Sequence, residues 1–70
     1  MNEEELKTAI YTPPFEPKLI RLTNGETYEI PHPGTIAIGR RSCAVYVKGK
    51  LHIISNLHIA QIEPLNGVAH

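Results

Sequence analysis

The sequence predicts a mainly β fold: a small closed or nearly closed barrel of about five antiparallel strands behind a short N-terminal helix. Three observations carry this. Lys18–Ile30 consists of two alternating apolar runs around Asn24-Gly25, the strongest short-range hairpin signal. Further short segments rich in Ile and Val follow at near-regular spacing, with Gly and Pro between them. Finally, seventy residues make one small domain, in which an open sheet would leave long β-branched edges bare. Closure, or pairing with a neighbouring subunit, removes that hazard.

The helix is expected over residues 2–10. Asn2 is an N-cap candidate, Glu3, Glu4 and Glu5 place negative charge in the first turn, and Glu5 stands three positions after the cap. Leu6, Ala9 and Ile10 recur at helical spacing, and Thr12-Pro13-Pro14 stops the run. Two turns are too short to stand alone, so the apolar stripe must dock. Residues 11–17 hold three prolines around Phe15 and read as a stiff connector, with Phe15 plugging one end of the barrel.

Parity selects the turn of the hairpin. A two-residue Asn24-Gly25 loop would pair Leu22 with Thr27 and Ile20 with Glu29, placing polar residues on the apolar face. A three-residue Thr23-Asn24-Gly25 loop, with Gly25 left-handed, pairs Leu22 with Glu26 and Ile20 with Tyr28. Ile20, Leu22, Tyr28 and Ile30 then share one face. His32-Pro33-Gly34 turns the chain into the short segment Thr35–Gly39. In Cys43–Val47, Cys43, Val45 and Val47 take one side and Ala44 and Tyr46 the other.

Lys48-Gly49-Lys50 is a tight connection with Gly in its middle. Leu51, Ile53 and, as a further candidate, Ile54 carry the next strand, with His52 opposite Leu51 and Ile53, towards solvent. Ser55-Asn56-Leu57 is a single helical turn, and His58–Glu63 is the last strand, with Ile59 and either Ala60 or Ile62 inward. The barrel thus spans residues 18–65, and residues 66–70 are expected to be a frayed tail.

Composition bounds the function. Seven basic and seven acidic side chains give a formal net charge of zero, whereas dedicated nucleic-acid binders are commonly basic, with pI above about 9. The charges still divide along the chain, with Glu3–Glu5 at the start and Arg40, Arg41, Lys48 and Lys50 in the second half. One cysteine forms no internal disulfide, and no apolar run approaches the roughly 18 residues of a membrane span, so the chain reads as soluble and cytoplasmic, with no membrane partner. So small a core favours self-association as added stability.

Chemistry finds little purchase. His32, His52, His58 and His70 lack the close pairing of zinc ligands, so neither a metal nor another cofactor is expected. Cys43 opens an apolar strand and behaves there as a small hydrophobe with a raised pKa, not as a nucleophile. No Gly-rich phosphate cradle and no paired carboxylates are found, so no enzyme is expected. The best binding candidates are Arg40 and Arg41, whose forks suit phosphate or carboxylate, together with Lys48, Lys50 and Tyr46, of which Tyr46 offers a stacking surface. The plainer reading of the same residues is a solvated loop with edge lysines that discourage aggregation.

The helix followed by Ile20-Arg-Leu-Thr-Asn-Gly25 resembles the Sm-like family, including the Hfq-type bacterial RNA chaperones, whose barrel is SH3-like. Leu22-Thr-Asn-Gly25 matches that family's Leu-x-Asn-Gly, and Ile59-Ala-Gln-Ile-Glu-Pro64 is similar to its last strand. The chain also resembles a group of short uncharacterised bacterial proteins through Leu22, Gly25, Tyr28, His32 and Pro33. In Hfq-type proteins a Lys-His pair before the last strand lines the RNA pore. Counted back from Pro64, its positions fall on Asn56 and Leu57, with His58 one residue later. The Sm-like resemblance implies a homo-oligomeric ring with weak affinity for single-stranded RNA, held by Arg40, Arg41 and the Ser55–His58 loop.

Two functions are therefore expected. The first is a non-catalytic interaction module that self-associates or binds a protein partner through strand edges. The alternative is the Sm-like RNA-binding ring.

Overall fold

A computed structural model describes residues 1–65; the expected tail lies outside the described residues. Helix α1 (Glu3–Tyr11) is followed by β1 (Lys18–Leu22) and β2 (Thr27–Ile30). A 3-10 turn (Pro33–Thr35) leads to β3 (Ile36–Ile38) and β4 (Ser42–Val47), then β5 (Lys50–Ser55). A second 3-10 turn (Asn56–His58) leads into β6 (Ile59–Pro64). The strands form two antiparallel sheets, ordered β2-β1-β6 and β3-β4-β5. Among the described residues no ladder joins these sheets. The breaks fall at the two 3-10 turns, the first carrying Pro33 after Pro31, where neither residue has an N–H to donate.

The helix starts as its sequence dictates. The Asn2 side chain accepts from the Glu5 N–H at 2.7 Å while the Glu5 carboxylate accepts from the Asn2 N–H at 2.9 Å, a complete capping box. Leu6 and Ile10 are fully buried, and the Tyr11 hydroxyl donates to the Ile36 carbonyl at 2.8 Å, docking the helix end on β3. Phe15 packs against the core from the connector.

The first hairpin has the three-residue geometry. Ile20 stands opposite Tyr28, the Leu22 N–H donates to the Glu26 carbonyl at 2.8 Å, and Gly25 has φ +92°. Ile20, Leu22 and Ile30 are buried in one core with Ile36, Cys43, Val45, Ile54 and Ile59, and Tyr28 packs against it. In β6 the register against β1 shifts: Arg21 pairs with Gln61 but Leu22 with Ile59. The extra residue, Ala60, is exposed, and this irregularity lets Ile59 and Ile62, three apart, both turn inward.

One expectation is overturned. The β4–β5 connection is the two-residue turn Lys48-Gly49, with φ +50° and +81°, and Lys50 already belongs to β5 opposite Val47. A three-residue loop would have put Ile53 opposite Val45. With two residues, Val45 faces His52 and Cys43 faces Ile54. Hence His52 and Ile54 turn to the core side, while Leu51 and Ile53 are 62% and 66% exposed.

Candidate functional site

The strand order divides the expected binding residues. Arg40 and Arg41 lie in the β3–β4 turn and line an open groove of about 660 Å³ shared with Glu5, Ser55, Asn56 and Leu57. Tyr46 and Lys48 lie at the other end of β4 and line a second groove of about 490 Å³, with Tyr28, Glu29, Val47 and His52 among its walls. Lys50 is exposed at the start of β5 and borders neither groove. His58 closes the second 3-10 turn, where its carbonyl accepts from the Thr23 N–H at 2.8 Å, and its side chain is exposed.

Asn56 does not offer its side chain to a ligand. It is only 3% exposed and its carboxamide is fully engaged. The amide nitrogen donates to the carbonyls of Gly39 and Arg40, both at 3.1 Å, and the oxygen accepts from the Cys43 thiol at 3.1 Å. Its own N–H donates to the Arg41 carbonyl at 2.9 Å. Asn56 is thus a strut that sets the backbone of the Arg40-Arg41 turn from beneath. The expectation of Asn56 as a contact residue is corrected to this positioning role: its place between β5 and β6 puts it under the turn instead of at a pore.

Cys43 is buried, and loss of hydration pushes its thiol above the ordinary value, as expected for an inert cysteine. Burial likewise raises the Tyr11 hydroxyl. The Glu63 carboxylate is held down by hydrogen bonds from Gln61 and Arg21; the Arg21 guanidinium reaches it at 3.2 Å across the β1–β6 pair. Among the described residues no three of the His, Cys, Asp or Glu side chains converge as a metal site.

Two features were missed in the sequence. The Tyr28 and His52 rings meet with centroids 5.4 Å apart at 58°, a contact between β2 of one sheet and β5 of the other. In addition, the outer face of β3-β4-β5 is apolar. Tyr46 stands opposite Leu51, Ala44 opposite Ile53 and Ala37 opposite Ala44. The apolar outer face and the inward turn of His52 follow once the β4–β5 turn is given two residues, whereas the meeting of His52 with Tyr28 also needs the two sheets packed on each other. The Lys48-Gly49 pair was the available signal, since Gly in second place suits a two-residue turn with positive φ.

Compared with known proteins, the chain matches no family, no curated sequence and no solved structure.

Proposed function

We propose that this chain is a non-catalytic interaction module that self-associates through the outer face and free edge of the β3-β4-β5 sheet. One observation carries the reading: Tyr46, Leu51 and Ile53, 57%, 62% and 66% exposed, sit together on that face with Ala37 and Ala44 and no charged side chain among them. Their exposed area, roughly 350 Å², is within the range of functional patches on monomers and about half of what a stable interface buries per partner. Strand β5 is terminal in its sheet, so its outer edge is available for pairing. A formal net charge of zero sets no long-range repulsion between copies.

In the same reading the six strands are an Sm-like small barrel whose bent second strand is broken into β2 and β3. What supports this is the two-sheet order around one core and the short turn before the last strand. Solution mass by sedimentation over a concentration series tests the function. A dimer or larger species at high micromolar concentration, reduced to monomer by Leu51→Lys with Ile53→Lys, is expected. A strict monomer in the parent chain overturns it.

The RNA reading ranks second. Exposed Tyr46 beside Lys48 supports it, but Arg40 and Arg41 line a different groove. It requires affinity for uridine-rich RNA that falls steeply with salt and is lost in Arg40→Ala/Arg41→Ala.

A further inference from the structure

We infer that two copies of this chain pair along their β5 edges about a two-fold axis at His52, and that the doubled outer face so formed stacks on a second such pair, giving a tetramer. The inference rests on the self-association reading and deepens it by fixing which contact forms first.

Four strands end a sheet: β2, β6, β3 and β5. Strands β2 and β3 hold only four and three residues. Strand β6 has six, yet it carries the register shift beside Ala60, the Glu63 carboxylate and Pro64, all features that discourage edge pairing. Strand β5 also has six, and from Leu51 to Ser55 it carries no Pro, Lys, Arg or acidic residue and no shift in register. The direction of its edge groups follows from the turn. A two-residue turn closes on a hydrogen-bonded pair, here Val47–Lys50, so by alternation Val45–His52 and Cys43–Ile54 are hydrogen-bonded too. The Asn56 N–H, which donates to the Arg41 carbonyl at 2.9 Å, continues the same phase. Leu51 and Ile53 therefore direct their N–H and C=O groups to the free edge.

When two identical edges pair antiparallel, outward residues must meet outward residues. With the axis at His52, Leu51 faces Ile53 of the second copy and Ile53 faces its Leu51, so both backbone pairs are also apolar side-chain pairs. An axis one residue on, at Ile53, would set Leu51 against Ser55. The axis at His52 also keeps the two Lys50 residues about 13 Å apart along the paired strands. Pairing continues each three-stranded sheet into one of six strands, with Tyr46, Leu51 and Ile53 of both copies on one face. One copy presents roughly 350 Å² there, and two present roughly 700 Å², close to the about 800 Å² that a stable interface buries per partner. Area thus orders the contacts: backbone pairing joins single copies, and the face joins only paired ones.

The test combines sedimentation of the full chain with amide hydrogen exchange over the same concentration series. A tetramer that dissociates through a dimer is expected. In the dimer the Leu51 and Ile53 amides are expected to exchange about tenfold or more slowly than in the monomer, with no such change in β6. Tyr46 stands on the central strand β4, so Tyr46→Lys reaches the face and not the edge. It is expected to stop assembly at the dimer with the Leu51 and Ile53 protection intact. If the parent associates while Tyr46→Lys is a folded monomer, or if the parent never passes the dimer, this order of assembly is overturned. Equal protection of β6 amides, which would mean that β5 meets β6 of the next copy in a ring, overturns it as well. A parent that is monomeric throughout overturns the self-association reading itself, and this inference with it.

Discussion

The Cys43 thiol donates to the Asn56 side-chain oxygen at 3.1 Å, tying β4 to the turn that follows β5. Through this contact and two bonds to the Gly39 and Arg40 carbonyls, one buried carboxamide ties the stretch 39–43 to the turn after β5. Asn56→Ala leaves the thiol and both carbonyls without that partner, and is expected to cost about 2–3 kcal/mol in urea unfolding. Asn56→Asp is expected to cost more at neutral pH, because a carboxylate would face two carbonyls. A loss below about 0.5 kcal/mol for Asn56→Ala would show that the strut is dispensable.

The buried thiol makes stability depend on alkaline pH. Below its ordinary value of 9.0 both folded and unfolded chains keep the proton, and the contribution is fully present. As pH rises above 9.0 the unfolded chain releases the proton first, so stability falls until the raised folded value is passed. Urea midpoints between pH 8 and about 10.5 are expected to decline more steeply for the parent chain than for Cys43→Ala. Parallel slopes would contradict this.

Lys48 holds φ +50° in the first position of the two-residue turn, a conformation that suits Asn better. Lys48→Asn is expected to raise stability by about 0.5–1 kcal/mol, read as a higher thermal midpoint. A fall would mean that the lysine side chain makes a stabilising contact outweighing its backbone strain.

Tyr11→Phe removes the bond to the Ile36 carbonyl and leaves the ring in place. A loss of about 1 kcal/mol is expected, with faster hydrogen exchange over α1 than over β1. Equal acceleration in both elements would show that the helix does not open independently.

Leu51→Lys and Ile53→Lys put charges on the outer face without touching the core. Monomer stability is expected to stay within about 0.5 kcal/mol of the parent while the solution mass drops. Unfolding at the monomer level would instead place these side chains in the folding core.

Local chemistry determined the helix start, the first hairpin and its three-residue turn, and the burial of Cys43, Val45 and Ile20. In each case the decisive residues lie within a few positions of one another: Asn2 with Glu5, Thr23 with Gly25, and the alternation along β4. Tertiary structure alone decided that Asn56 is a strut and that Tyr46 and Arg40 line different grooves. It also brought Tyr28 against His52. These depend on pairing between segments distant in the chain, and in a strand a one-residue change of loop length turns every following side chain to the other face.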